Sequence, residues 1–391
     1  MSVTNVLAVT ACGYLEGDIK MLLLGLHGLD STKTHIHVVS PPRGAVYEYL
    51  AKLPNVTVHT MEMGGIETAN SSFRLWFRRL YSLATIPRIA ALVKQAEIDV
   101  IYTVDRTVGM HISYAVSRLT GCPLMLCAQH YYYLEYNSFI HQLLIHHASC
   151  ITVLSESMRQ QFLPYVNDPT KLIVVHNAID VESFEHSRDR LTMRSELGLE
   201  PSVPLVALVG RIDPWKGQAE LIRAAAIVLD THPEAIFLLV GRGDSGYVRE
   251  MEQLVKELEV EKNILFLGYR NDIPDILSMV DIATMPSYHE PFGLVAIEAM
   301  AMGKPVIATK AGAVPEFIVD GEMGLLIPPR DVEALADALT VLLDNPDRAS
   351  QMGSQGRKHV AHSYSARRYQ QKIEQLFKQF ARDVNFQPEQ I

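Results

Sequence analysis

Two segments in the second half of the sequence combine charged side chains with glycine directly after apolar, strand-like runs. The first is Val209–Gly217, VGRIDPWKG, in which Arg211 and Lys216 follow Gly210. A guanidinium with planar donors and an ammonium point charge together suit a diphosphate, and glycine lets the backbone approach such a ligand closely. The alternative is a pair of solvated cations. The segment does not match the P-loop pattern, because Lys216 precedes Gly217 and no serine or threonine follows.

The second segment is His289–Gly303, HEPFGLVAIEAMAMG, which follows the apolar run Ile282–Met285. Its proline and glycine interrupt the chain, and the pattern then predicts a helix over Leu294–Met302. The first amides of a helix have no intrahelical acceptor, and they carry the positive end of the helix dipole. The segment therefore predicts a phosphate-binding helix start, with backbone donors at Phe292, Gly293 and Leu294.

Two carboxylates flank this helix start. Glu290 precedes it, and Glu298 lies inside an otherwise apolar helix, where a carboxylate needs a partner. Eight residues separate the two, so we expect them to contact different parts of a long ligand. The alternatives are a helix-start acid for Glu290 and a solvent-facing side chain for Glu298.

Strand-like and helix-like stretches alternate along the chain and predict two doubly wound parallel sheets, each with its own core. A polar stretch near residues 177–203 separates the two series. We predict domains over residues 1–185 and 186–365, with a final helical segment, 366–391, that packs back on the first domain. The predicted strands are Asn5–Thr10, His35–Ser40, Val56–Thr60, Asp99–Thr103, Leu124–Ala128 and Cys150–Leu154, then Leu205–Val209, Ala235–Val240, Ile264–Leu267, Ile282–Met285, Pro305–Ala308 and Gly324–Ile327.

The two segments, extended to GRIDPWKG and HEPFGLVAIEAMAMGKPVIATKAGAVPEFIVDGEMGLLIPPRD, resemble the signature of glycosyltransferase family 4, which comprises retaining enzymes of GT-B fold. The spacing of Glu290 and Glu298 matches the family's E-x7-E motif. The resemblance is close over residues 150–345 and loose over residues 1–129. Further matches are LSESMRQQF, VVHNAIDVESF, LVGRGD and LGYRNDIPDILSMVDIATMPS, although the family's usual N-G-V-D is Asn177–Asp180, NAID, here.

The resemblance implies a role for each candidate residue. Arg211 and Lys216 hold the donor diphosphate and stabilise the leaving group. Glu290 binds hydroxyls of the transferred sugar, and Glu298 holds the ribose. The remaining donor contacts fall on the backbone at Gly210, Phe292, Gly293 and Leu294, and on Tyr269 and Arg270 at the base.

The first half offers fewer candidates. Gly17, in the loop Gly13–Asp18, is the best match to the glycine-rich loop that meets the donor phosphate and the acceptor in this family; an ordinary strand–helix turn explains it equally well. His130 follows a predicted strand and matches a family histidine near the sugar, whereas a lone histidine is usually structural. Tyr131, Tyr132, Tyr133 and Tyr136 could line an acceptor pocket or pack in the core.

The segment Phe73–Gln95 has helical periodicity, five basic residues and no acid, with apolar side chains on one face. A basic amphipathic helix can lie on an anionic membrane, which would bring the enzyme to a lipid-linked acceptor. The favoured alternative is that its apolar face packs on the first sheet.

Composition bounds the remaining properties. A net charge of −9 argues against a nucleic-acid partner. No D-x-D motif occurs, so we expect no metal and no cofactor besides the nucleotide-sugar co-substrate. Four cysteines without C-x-x-C spacing fit a reducing compartment, and the N-terminus lacks a basic signal-peptide region. We therefore expect a cytoplasmic protein, either free or peripheral on the inner membrane face.

The sequence thus predicts a retaining hexosyltransferase that moves a sugar from a nucleotide diphosphate to a hydroxyl acceptor, either a glycan, a lipid-linked acceptor or a small molecule. UDP is favoured on family frequency alone. The alternatives are another GT-B enzyme, such as a nucleotide-sugar epimerase or a phosphorylase, and a non-catalytic nucleotide-sugar-binding protein.

Overall fold

The computed structural model describes residues 3–11, 17–63, 83–103, 108–130, 139–182 and 184–382. The chain forms two compact units. The first unit comprises Met1–Asn177 together with Ala366–Ile391, and the second comprises Ala178–Ser365.

Strands and helices alternate through both units. The strands are β1 Thr4–Val9, β2 Thr34–Ser40, β3 Val56–Thr60, β4 Val100–Thr103, β5 Leu124–Ala128, β6 Cys150–Val153, β7 Leu172–Val174, β8 Leu205–Val209, β9 Ile236–Val240, β10 Ile264–Gly268, β11 Ile282–Met285, β12 Val306–Thr309 and β13 Gly324–Ile327. The described α-helices are α1 Gly17–His27, α2 Ala45–Leu50, α3 Ile86–Gln95, α4 Val108–Thr120, α5 Phe139–His147, α6 Glu156–Phe162, α7 Arg190–Glu196, α8 Gln218–Val228, α9 Ser245–Glu257, α10 Ile273–Met279, α11 Leu294–Ala301, α12 Val314–Phe317, α13 Val332–Asp344, α14 Pro346–Ser363 and α15 Ala366–Phe380.

The first unit contains a seven-stranded parallel sheet in the order β3-β2-β1-β4-β5-β6-β7. All residues of β4, β5 and β6 are buried, which explains why these strands are continuous apolar runs without alternation. The sequence predicted six of the seven strands. It missed β7 because three residues are too few to show a period.

The final helix, α15, packs against α1 within the first unit. The ring of Tyr369 lies against Gly25, and the side-chain amide of Gln370 donates to the Leu24 carbonyl at 2.9 Å. On the sheet side, Phe377 meets the ring of Tyr102 edge to face. The chain therefore returns to its first unit after completing the second.

The prediction of one continuous helix over Phe73–Gln95 was wrong. The chain turns at Ala84 and Thr85, and α3 begins at Ile86 with Pro87 in its first turn. Proline has no amide hydrogen and is tolerated in a first helical turn but not in a helix interior. The basic and aromatic part of the prediction, residues 73–82, lies outside the described residues.

The second unit contains a six-stranded parallel sheet in the order β10-β9-β8-β11-β12-β13. The strand order reverses between β8 and β11, which are direct neighbours: Leu208 pairs with Thr284. The loops after these two strands therefore leave the same edge of the sheet side by side, at its topological switch point.

Cys122, Cys127 and Cys150 are free and buried, as predicted, and Cys12 lies outside the described residues. Within the part of the chain that the structure describes, no helix is both long enough and apolar enough to cross a membrane.

Candidate functional site

The candidate site lies where the loops after β8 and β11 meet in the second unit. We call Gly210–Gly217 the cationic loop. Its short 3-10 turn, Pro214–Lys216, leads into Gly217, whose backbone is left-handed at φ +76°. A β-carbon on Gly217 would come within 2.3 Å of the Pro286 carbonyl oxygen. Only glycine accommodates both constraints, so the loop can lie directly against the chain that follows β11.

Asp213 organises the cationic loop from within. Its Oδ1 accepts a hydrogen bond from the Trp215 amide at 3.2 Å, and its Oδ2 lies 3.1 Å from the guanidinium of Arg211. The Arg211 side chain is 61 % exposed, so this ion pair is a weak one, of roughly 0–1 kcal/mol. Arg211 therefore remains accessible to a stronger anion.

Lys216 and Glu290 form an ion pair, with Nζ 2.7 Å from Oε2. Glu290 as a whole is only 8 % exposed, and a carboxylate at that depth needs a counter-ion. Lys216 lies beside the start of α8, where a cation is unfavourable unless an anion balances it. In the free protein that anion is Glu290, so the position of Lys216 does not by itself require a phosphate.

Backbone hydrogen bonds set the distance between the two loops. The Tyr288 amide donates to the Trp215 carbonyl at 2.9 Å, one residue before Lys216. The Ala313 amide, from the loop after β12, donates to the Glu290 carbonyl at 3.1 Å. The ion pair is therefore held by its supporting chain as well as by the attraction of its charges.

A glutamate on α8 and a tyrosine in the loop after β11 brace the same junction. The Tyr288 hydroxyl donates to Glu220 Oε1 at 2.6 Å. Burial, followed by this hydrogen bond, raises the pKa of Tyr288 to about 12, so the phenol remains a proton donor over the physiological range. The guanidinium of Arg330 lies over the ring of Tyr288, 4.4 Å from its centroid.

Helix α11 begins at Leu294, as predicted. Gly293 precedes it with φ +99°, a conformation that favours glycine. The ring of Phe292 is buried and packs against Phe317 and Tyr364, at centroid distances of 5.4 and 5.9 Å. This anchor fixes the direction of the helix start, where the amides of Leu294 and Val295 have no preceding helical turn to donate to. The next amide, that of Ala296, donates to the Gly293 carbonyl at 3.0 Å.

The other donor-site candidates occupy two places. Glu298 is half-buried in the second turn of α11. Tyr269 and Arg270 follow β10, two strands away from β8; Tyr269 is 71 % exposed, and the guanidinium of Arg270 donates to both carboxylate oxygens of Asp272, at 2.8 and 2.5 Å. Their roles at the ribose and the base stay predictions.

The first-unit candidates also stay predictions. His130 is half-buried directly after β5, and Gly17 is the first residue of α1. The four tyrosines after His130 and the loop residues Gly13–Glu16 lie outside the described residues.

Three residues that support the site were not among the site residues predicted from the sequence. Asp213 precedes a proline, which is a turn signal that could have been noticed. Gly312 has φ +57°, and a β-carbon there would lie 2.1 Å from the Glu290 carbonyl oxygen; nothing local indicated that contact. Gln218 is fully buried and bonds to the cationic loop, although a glutamine after glycine carries no recognisable signal.

Two family profiles match the chain in order. The profile described as Glycosyltransferase Family 4 covers residues 26–183, and the one described as Glycosyl transferases group 1 covers residues 189–359. Among curated proteins, the chain is 37 % identical over 228 residues to D-inositol 3-phosphate glycosyltransferase of Corynebacterium glutamicum, a match that covers 56 % of this chain and 54 % of that protein. The same-named protein of Nocardia farcinica is 36 % identical over 214 residues, with 53 % and 47 % covered. The chain thus spans about half the length of the curated relatives it matches.

Solved structures share the architecture over nearly the whole chain. Anabaena HepE in complex with UDP and glucose superposes with a TM-score of 0.79 at 24 % identity, covering 95 % of this chain and 99 % of that one. Sucrose-phosphate synthase from Thermosynechococcus elongatus also gives 0.79, at 22 % identity, with 96 % and 98 % covered. These likenesses show the fold, which is GT-B as the sequence predicted.

Proposed function

We propose that this chain, which belongs to glycosyltransferase family 4, transfers a hexose from a nucleotide diphosphate sugar to a hydroxyl acceptor with retention of the anomeric configuration. The observation that carries the proposal is the Lys216–Glu290 ion pair at the switch point of the second sheet. A cation, a carboxylate and the start of α11 leave the same sheet edge, which suits a ligand that is anionic at one end and rich in hydroxyls at the other.

In the proposed donor complex, the diphosphate receives hydrogen bonds from the first amides of α11 and the charges of Arg211 and Lys216. Lys216 already lies at hydrogen-bond distance from Glu290, so a phosphate oxygen would share the ammonium with that carboxylate. Glu290 then keeps lone pairs for the sugar hydroxyls. The cations are aimed at the oxygen on which negative charge grows as the glycosidic bond breaks, which is where preorganised charge lowers a barrier most.

For retention, we propose a front-face substitution. The acceptor hydroxyl approaches on the side from which the diphosphate departs, and the departing phosphate oxygen takes the hydroxyl proton. No protein nucleophile is needed in this scheme. Arg211 and Lys216 act by stabilising the leaving diphosphate.

The donor and acceptor are also proposals. UDP is the first nucleotide to test, a choice supported by the UDP-bound relative of the same fold. D-inositol 3-phosphate is the first acceptor to test, because the curated relatives carry it in their names. We place the acceptor contact in the first unit, with His130 as its candidate residue.

We propose a cytoplasmic location, supported by the free, buried state of the three described cysteines. For the membrane contact of Phe73–Gln95, the described part favours packing, since Ile89 and Val93 of α3 are buried in the core of the first unit. Sedimentation with anionic vesicles tests whether residues 73–82 contact a membrane. If the protein does not pellet with the vesicles, the membrane hypothesis is removed.

The central test is a thermal-shift screen against UDP-, GDP- and ADP-sugars, followed by a product assay with and without D-inositol 3-phosphate. We expect stabilisation by one nucleotide series and a glycosylated product only when an acceptor is present. A converted donor sugar without acceptor would indicate an epimerase, and sugar phosphate formed only with inorganic phosphate a phosphorylase. Stabilisation with no product from any hydroxyl acceptor would favour a non-catalytic binding protein.

A further inference from the structure

Gln218 joins the start of α8 to the cationic loop. It is the first residue of the helix, yet its side chain is fully buried and turns back toward the preceding loop. Its Nε2 donates to the Arg211 carbonyl at 2.9 Å, and its Oε1 accepts from the Asp213 amide at 3.4 Å. One buried amide therefore satisfies a backbone acceptor and a backbone donor in the loop that carries both candidate cations.

These contacts complement the hydrogen bonds that Asp213 makes. The Asp213 carboxylate holds the Trp215 amide and the Arg211 guanidinium, while Gln218 holds the backbone of Asp213 itself. The other side of the loop is held by the Tyr288 amide, which bonds to the Trp215 carbonyl. Two contacts hold the Arg211–Ile212 peptide: Gln218 bonds to its carbonyl, and its amide donates to the Arg242 carbonyl at 2.9 Å. The Tyr288 contact holds the loop next to Lys216.

We propose that Gln218 is a positioning residue that sets the cationic loop for the donor diphosphate; this inference rests on the proposed function. The amide is a good choice chemically, because only a side chain with both a donor and an acceptor serves the Arg211 carbonyl and the Asp213 amide together. A leucine of similar size leaves both partly buried backbone groups without their side-chain partner, and the loop must move to hydrate them fully. The guanidinium of Arg211 moves with its backbone.

The same domain contains a matched control at the opposite end of its strands. The side-chain amide of Asn263, directly before β10, donates to the carbonyls of Pro233 and Ala235 at 3.0 and 2.9 Å. Asn263→Leu removes a loop-bracing amide just as Gln218→Leu does. It leaves the cationic loop untouched.

The experiment compares full-length wild type with Gln218→Leu, Gln218→Glu and Asn263→Leu. Calorimetric titration with UDP measures binding, and hydrogen–deuterium exchange without nucleotide measures protection of the peptide that contains residues 210–217. We expect Gln218→Leu to weaken UDP binding about tenfold, as the loss of one well-placed polar contact does, and to speed exchange in that peptide. Gln218→Glu keeps the acceptor for Asp213 but loses the donor to Arg211, so its UDP affinity should also fall.

Asn263→Leu should lower the melting temperature while binding UDP like wild type. The inference is overturned if Gln218→Leu binds UDP with wild-type affinity, if its exchange is unchanged, or if Asn263→Leu loses as much affinity. A wild type that binds none of UDP, GDP and ADP would instead contradict the proposed function. The exchange measurement would then still report whether Gln218 holds the loop.

Discussion

Lys216 Nζ lies 2.7 Å from Glu290 Oε2, although 74 residues separate them in the chain. Lys216 lies in the loop that follows β8, and Glu290 lies in the loop that follows its neighbour β11. The hydrogen bond from the Tyr288 amide to the Trp215 carbonyl joins the two loops. The pair is thus assembled before any ligand arrives. A diphosphate would meet a cation already in place, so little reorganisation is needed when charge develops.

Replacing Lys216 by alanine should lower turnover by about 10²-fold or more, because one preorganised charge is lost and Glu290 is left buried without its counter-ion. The measurement is nucleotide release from the donor in the presence of acceptor. Lys256→Ala, at an exposed position on α9, serves as the control. A double-mutant cycle with Glu290→Gln should be strongly non-additive; additive losses would show that the two side chains act independently.

Gly312→Ala should lower kcat/KM while costing the protein comparatively little stability. A β-carbon at this position would lie 2.1 Å from the Glu290 carbonyl oxygen, so the backbone carrying Glu290 must shift. Gly321 is the matched control: its φ of +78° imposes a similar backbone strain, but its β-carbon would meet nothing within 4 Å. Equal kcat/KM in Gly312→Ala and Gly321→Ala would remove Gly312 from the support of the site.

Activity should survive a chelator. In the proposed scheme, Arg211, Lys216 and the start of α11 neutralise the diphosphate, so no metal ion is needed for that charge. The assay is donor turnover after dialysis against EDTA, repeated with added Mg²⁺ or Mn²⁺. Loss of turnover that either ion restores would refute the scheme.

Acid should destabilise the first unit through a histidine pair on β2 and β3. His37 Nδ1 lies 3.0 Å from His59 Nε2, and desolvation, followed by the nearby His35 and His59, lowers the pKa of His37 to about 4. The unfolded chain binds this proton near pH 6.5 and the folded chain only near pH 4. Between these values the unfolded state holds more protons, so stability falls as the pH falls through that window.

The effect is on the order of 1 kcal/mol once solvent screening is allowed for, since His37 is only half-buried. Melting curves from pH 7 to pH 4 should therefore decline less steeply for His37→Gln than for wild type. His362→Asn, at an exposed position on α14, should follow wild type. Parallel declines in all three proteins would show that His37 does not contribute.

Much of the fold could be predicted from local patterns in the sequence. Strands buried on both faces are continuous apolar runs, so Leu124–Ala128, Leu205–Val209 and Ile282–Met285 were predicted to the residue. The start of α11 was equally clear, because Pro291 and Gly293 interrupt the chain directly before an apolar helix. These features depend on residues only a few positions apart in the chain. Local sequence patterns therefore predict them.

Tertiary structure alone decided which residues meet. Strand order determines that the loop of Lys216 lies beside that of Glu290, and no local pattern records the order of strands in a sheet. The contacts of Gly312 with Glu290 and of Gln218 with Arg211 depend on how separate loops pack or fold back, so glycine and glutamine there look ordinary in sequence. Residue types along the chain thus indicated which chemistry the site could perform. Long-range packing decided which partner each charged side chain has. The reason is that the interactions selecting these partners act between segments distant in sequence.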